Sequence, residues 1–272
     1  MSDERVTSIM HTGFTSLGTS TAQTLLGGAA LVLPSTARCI NAVEPQVSID
    51  VPTVSQSVLP LLELDSIDVN LSPFQVLVSP INAVLGATVG ALNLGNEVYE
   101  VNAPINGAVN LNARMTALVA NTAAPTGGCS IVWSNWFDGR LQKKAKTGTL
   151  TSSGTTASSA VAGTRYQFTG ANRVTELQAV FGHGTVAAAD AIMGYFKYDS
   201  SEFVGTNSSY LGMNPIAGGL STIFSTCSKV NRRKVNIPVK SGANTQVTIQ
   251  DQFFMGLAPA SAGNFMTGVI FE

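Results

Sequence analysis

The chain repeats itself once at close to half its own length, and this limits it to folds made of two copies of one unit. Val101-Asn102-Ala103-Pro104-Ile105 matches Val235-Asn236-Ile237-Pro238-Val239 at an offset of 134, and Ala124-Pro125 recurs as Ala258-Pro259 at the same offset. Ser79-Pro80-Ile81 recurs as Asn214-Pro215-Ile216, and Arg38-Cys39 aligns with Arg173-Val174, both at 135. Four matches in order on nearly one diagonal of a 272-residue chain are not a coincidence of composition.

The Ser79 and Asn214 matches predict a short helix in each copy. Serine and asparagine cap helix N-termini through a side-chain oxygen, and proline at the first helical position gives up an N–H that has no partner there. Ile81, Leu85, Val89 and Leu92, and Ile216, Leu220, Phe224 and Cys227, then follow at helical spacing. Gly86, Gly90, Gly218 and Gly219 weaken both segments.

Elsewhere the pattern is that of strands. Val98–Val101, Val109–Met115 and Ser130–Trp133 follow the first segment; Lys234–Val239, Gln246–Gln250 and Phe265–Phe271 follow the second. Several alternate apolar and polar residues, as half-buried antiparallel strands do. Arg38–Val43 and Arg173–Leu177 supply earlier strands in equivalent places, and Gly27-Gly28, Gly127-Gly128 and Ser241-Gly242 are read as turns. Seven or eight short strands in about 135 residues fit a jelly roll. The expected fold is therefore all-β: two tandem eight-stranded jelly-roll sandwiches, each with one short helix. The first spans 1–138 and the second 139–272, with the junction in the basic, then Ser/Thr/Gly-rich stretch near Phe137 to Thr156.

Charged residues make up 11% of the chain, against roughly 25% in ordinary soluble domains. So little charge suits a protein that packs against copies of itself. A net charge of −1 excludes a large basic field for nucleic acid. Two short basic clusters, Arg140 to Lys146 (with Lys143 and Lys144) and Arg232-Arg233-Lys234, are read as solvated loops, with contact to an acidic partner, genome or lipid phosphate as the alternative. Cys39, Cys129 and Cys227 form neither a disulfide framework nor a zinc site and are expected to be buried thiols in a reducing compartment. Met1-Ser2-Asp3-Glu4-Arg5 does not open a secretory signal. The uncharged stretch between Asp68 and Glu97 is broken by Pro73, Pro80, Asn82 and Asn93, so it is not read as a membrane span.

The sequence carries no catalytic signature. His11 and His183 are too few for the metal site of a cupin-type enzyme, and no nucleophile elbow, phosphate loop or dinucleotide fingerprint occurs. Glu63, Asp65 and Asp68 have the alternation of an exposed strand face, with cation binding as the alternative, and Glu176, Asp190, Asp199 and Glu202 show no tighter pattern. Trp133, Trp136, Phe137, Phe265 and Phe271 read as core and interface packing rather than a stacking platform for sugars or bases. No catalytic, cofactor-binding or metal residue is assigned, and no cofactor or small-molecule substrate is expected.

The half-length repeat, with a capped segment ahead of the last strands of each half, resembles the double jelly-roll major capsid proteins of icosahedral viruses. The resemblance is architectural and covers nearly the whole chain. It implies a non-enzymatic structural protein of the virion, made in the host cytoplasm. Its copies would form homotrimers, six sandwiches making a pseudo-hexagonal tile, and the tiles would pack into a capsid lattice. Further implied partners are minor capsid and penton proteins, and an inner membrane or genome reached through Arg140, Lys143, Lys144 and Lys146. A tandem-sandwich carbohydrate-binding or glycan-processing protein, and a surface-layer or filament subunit, are the alternatives.

Overall fold

The computed structural model describes residues 4–19, 21–49, 56–71, 74–83, 92–93, 97–118, 124–158, 160–186, 191–213, 216–217, 224–227, 229–240, 245–257 and 262–272. Sixteen strands form its frame. In the first half they are β1 (Thr7–His11), β2 (Thr24–Leu25), β3 (Cys39–Ser48), β4 (Pro60–Asp65), β5 (Phe74–Leu77), β6 (Tyr99–Pro104), β7 (Asn110–Ala117) and β8 (Thr126–Ser134). In the second they are β9 (Lys144–Thr147), β10 (Ala160–Thr169), β11 (Arg173–Val186), β12 (Ala191–Asp199), β13 (Ser208–Gly212), β14 (Asn231–Pro238), β15 (Gln246–Leu257) and β16 (Asn264–Phe271).

The pairing repeats with the sequence. The first half has the orders β1-β8-β3-β6 and β2-β7-β4-β5; the second has β9-β16-β11-β14 and β10-β15-β12-β13. Each order in the second half is the first with eight added to every strand number. This is the jelly-roll topology twice, with all neighbours antiparallel. The halves meet where β9 lies parallel to β5, Ala145 opposite Phe74, so one sheet runs from the first sandwich into the second.

Alternation decides which side chains enter each core. On β4, Leu62 and Leu64 point inward and are buried, while Leu61, Glu63 and Asp65 on the other face are half-buried. On β15, Val247, Ile249, Phe253 and Met255 do the same in the second half. The second core is the more aromatic: Phe253 sits 5.2 Å from Phe181, 5.1 Å from Phe196 and 5.5 Å from Phe265, centroid to centroid. A third apolar group joins the halves, Leu59 and Leu77 meeting Val180, Val230 and Met266. Full burial of such side chains stabilises by roughly 1.5–3 kcal/mol each.

Three local expectations are corrected. The segment predicted as a helix from Ile81 is strand at Ile81–Ala83, paired with Gln56–Val58 and Leu92–Asn93, and Ile216–Ala217 and Phe224–Cys227 are strands as well. The remaining predicted helical residues, with Asn214 and Pro215, lie outside the described residues. Ser79 does not cap: its hydroxyl and amide both donate to Glu97, and the glycines that follow remove the helical preference. Gly127 and Gly128 are strand interior rather than turn, paired with Val47 and Gln46, and only glycine fits, because a Cβ would lie 2.8 Å from Met115 Sδ at Gly127 and 2.8 Å from the Phe14 ring at Gly128. Gly27 and Gly28 close a single 3₁₀ turn, Leu26–Gly28, both with φ near +70° (71° and 72°), and Ser241-Gly242 lies outside the described residues. The basic stretches are not loops throughout: Lys144–Thr147 is β9 and Arg232-Arg233-Lys234 is part of β14.

Candidate functional site

The seam between the sandwiches gathers the most elaborate polar chemistry among the described residues. Arg232 on β14 is its centre. Alternation turns this side chain away from the second core and towards the first half, where Nη1 donates to the Val98 carbonyl at 3.0 Å and the guanidinium lies 4.2 Å from the centre of the Tyr99 ring. The same group makes a two-point contact with Glu176 of β11, Nε to Oε1 at 2.6 Å and Nη2 to Oε2 at 3.0 Å. Gln178 completes the carboxylate's shell by donating to Oε1 at 3.0 Å.

On the first-half side, Glu97 accepts from the Ser79 amide at 2.9 Å, from the Ser79 hydroxyl, and from Tyr99 Oη at 3.2 Å. Burial raises the Glu97 carboxyl above its ordinary range, opposed by those hydrogen bonds and by the Arg232 charge. The single Tyr99 hydroxyl proton is shared between Glu97 and the Leu77 carbonyl, the nearer acceptor, and burial pushes its phenol well up, so it remains a neutral donor. Below this, Lys143 pairs with Glu272, which also meets Arg173 Nε at 3.4 Å. The Lys143 amide donates to the Val101 carbonyl at 2.8 Å, and Gln142 Nε2 donates to the Asn70 carbonyl at 2.7 Å. A groove runs over this seam, lined by Val98, Glu100, Lys143, Thr175, Glu176 and Arg232 among others. Its ion pairs, Arg232 with Glu176 and Lys143 with Glu272, lie within the second half, and Arg232 reaches the first half through the Val98 carbonyl and the Tyr99 ring.

The other residues singled out in the sequence fall elsewhere. His11, on β1, accepts at Nδ1 from the Gly13 amide at 2.9 Å and packs 4.7 Å from Phe14. The backbone of His183 is in β11, and its side chain lies outside the described residues, as does Asp190. Glu63, Asp65 and Asp68 do not converge on a cation: Glu63 accepts from Gln75, Asp65 pairs with Arg114 and accepts from Asn112, and Asp68 accepts from Asn110. No His/Cys/Asp/Glu group able to hold a metal occurs among the described residues. Asp199 pairs with Lys197 at 2.8 Å, and Glu202 accepts from Ser200 and Ser201, which lowers its carboxyl. Trp133, Phe265 and Phe271 are core; Trp136 lies under Arg5 at 5.0 Å, and Phe137 is exposed.

Burial, with Asp138's charge, pushes the Cys39 thiol up to about 11, and burial raises Cys129 as well, so both remain protonated. Among the described residues no helix is long and apolar enough to cross a membrane. In the stretch from Arg140 to Lys146, Lys143 is committed to Glu272, Lys144 and Lys146 are half-buried on β9, and Arg140 stays exposed beside Asp138 at 2.8 Å.

One buried polar residue went unread in the sequence. Asp251 is fully buried on β15, at the inward phase of Val247, Ile249, Phe253 and Met255. Thr267 donates to its Oδ2 at 2.7 Å, and Oδ1 has no hydrogen-bond partner. A Cβ at residue 163 would lie 2.1 Å from Oδ1, so only glycine leaves room for it. Extending the period-two pattern of Gln246–Gln250 by one residue would have exposed this carboxylate in a core position.

No family model and no curated protein matches the chain. Solved structures do share its architecture. Recombinant peptide:N-glycanase F aligns with a TM-score of 0.52 at 10% identity over 98% of this chain and 95% of its own. The major capsid protein of STIV aligns at 0.45 and 8% identity over 98% and 96%, and the VP2 subviral particle of infectious bursal disease virus at 0.27 and 7% over 99% and 73%. At 10% identity the likeness to N-glycanase F is one of fold alone.

Proposed function

We propose that this chain is a structural protein of a viral capsid, dividing into units 1–138 and 139–272 and assembling with itself as a trimer. The observation that carries the reading is the joint between the halves. Two sandwiches of one topology are fused flank to flank through a shared sheet, so each chain supplies two near-equivalent wedges. Three such chains present six wedges, and a threefold object with near-sixfold edges can tile a lattice. Low charge supports this, since flanks can meet with little desolvation penalty. In this reading, contact with lipid or genome phosphate, or with minor capsid and penton proteins, falls to the exposed Arg140. Light scattering after size exclusion, with negative-stain imaging of the same fraction, tests it. Three chains of 28.2 kDa, about 85 kDa, seen as hexagonal tiles are expected, and a monomer at every concentration and in every salt would overturn it.

The likeness to N-glycanase F supports a second reading, a glycan-processing protein with its chemistry in the seam groove. Incubation with a denatured N-glycosylated protein, followed by its mobility on a gel, separates the two. No shift is expected; glycan release abolished by Glu100→Gln would replace the capsid reading.

A further inference from the structure

Because the halves share a topology, each surface of one has a counterpart on the other, and the two can be compared for what covers them. In the second half, β9 is the outer strand beyond β16, and its far edge is taken by β5. The face of that sheet turned away from its own core carries Ala145, Val180, Met266 and Ile270, all buried against the first half. In the first half the counterpart of β9 is β1, which pairs with β8 on one side and with no strand on the other among the described residues. Ile9 stands opposite Val132 there as Ala145 stands opposite Ile270. Yet Ile9 is 60% exposed, and nearby Phe14 is 67% exposed.

The covering strand has a counterpart too. β5 corresponds to β13, which pairs with β12 alone among the described residues, and its Tyr210 is 57% exposed. Aligning inward-facing residues sets Leu64 and Phe74 against Tyr198 and Ser209, so Ser209 occupies the place of Phe74. A groove beside β13, lined by Tyr210, Gly212, Lys229 and Arg233, is open.

Edge strands that must remain single are usually guarded by charge or proline. The other long edges follow that rule: β6 carries Glu100 and Pro104, β14 carries Arg232, Arg233, Lys234 and Pro238, and β10 carries Arg165. β1 (Thr-Ser-Ile-Met-His) and β13 (Ser-Ser-Tyr-Leu-Gly) have neither lysine, arginine, acid nor proline. Among the described edge strands of five residues or more, these two are the unguarded ones, one per half, and they are the counterparts of the two strands already joined inside the chain.

We infer that β13 of one copy lies parallel to β1 of a second copy, Ser209 beside Ile9, repeating between chains the β5–β9 joint within the chain. The inference rests on the self-assembly reading and names its interface. The two surfaces differ, so the contact is head to tail, and six steps of about 60°, alternately within and between chains, close on three copies.

Cysteines placed at Ile9 and Ser209 test it, because neighbouring strands bring Cα atoms within disulfide reach. Ile9→Cys and Ser209→Cys variants, mixed under mild oxidant, are expected to give a cross-linked dimer that neither variant forms alone and that wild type lacks. The double variant is expected to give covalent trimers. Cross-links within Ile9→Cys alone would mean a two-fold contact and overturn the inference. An oligomer by light scattering without any cross-link would overturn it while leaving self-assembly standing, and a monomer throughout would overturn both.

Discussion

Replacing Asp251 with asparagine is expected to stabilise the protein at pH 7 by about 2–3 kcal/mol, with the gain vanishing near pH 4. The carboxylate is wholly buried, has no basic partner among the described residues, and keeps a single side-chain hydrogen bond, from Thr267. Burial is the dominant cause that raises it from 3.8 to about 6. A folded-state value above the unfolded one means that folding favours the protonated acid. Stability is then highest below the unfolded value, falls as pH rises from about 4 to about 6, and stays lowered above that. Two steps at about 1.4 kcal/mol each set the size of the effect. Asparagine keeps the shape and an acceptor for Thr267 without a charge to desolvate. Urea denaturation of both proteins at pH 7 and pH 4 measures it; an equal difference at the two pH values would show that charge burial is not the cause. The buried tyrosines Tyr166 and Tyr198 share this cluster, and burial raises both phenols, so they do not titrate in that window.

Arg232→Met should act in the opposite direction, costing about 2–4 kcal/mol. Removing one member of a buried pair leaves the other charged and unpaired, which costs about 3–5 kcal/mol when solvent cannot reach it. Glu176 is nearly buried at 8% side-chain exposure, whereas Arg232 keeps 26%, so the lower part of the range applies. Methionine would also lose the contact with the Val98 carbonyl and the Tyr99 ring, the points where this arginine grips the first half. The Glu176→Gln/Arg232→Met double variant is expected to recover at least about 1 kcal/mol relative to the sum of the singles, since the orphaned charge is gone. Additive singles in the denaturation cycle would remove the seam lock from the account.

Asp251 and Arg232 also mark where reading along the chain stops. Arg232 was visible as part of a basic triplet, and such triplets are commonly solvated. Its partner Glu176 lies 56 residues away on the neighbouring strand, and the ring beneath it belongs to the other half. Short basic runs carry no mark that separates a loop from a strand whose side chains cross a joint. Lys144 and Lys146 met the same difficulty, since their strand β9 is defined by its neighbours β16 and β5. Asp251 differs: its phase on β15 was legible, and its consequence was not, because a buried acid and an exposed one are the same letter.

The sequence by itself determined the twofold plan, the all-β character and the positions of most strands, because repeats and alternation are local or self-referential properties of the chain. The predicted helices at Ser79 and Asn214 show the limit of that. Capping and spacing are weak local preferences, and where Ile81–Ala83 finds strand partners on both sides, the ladder hydrogen bonds outweigh them. Only the tertiary structure decided that β5 and β9 join, that Glu97, Tyr99, Arg232 and Glu176 form one lock, and that β1 and β13 are open edges among the described residues. Each is set by non-local pairing, whose energy depends on which surfaces are already covered, and no stretch of sequence carries that information alone.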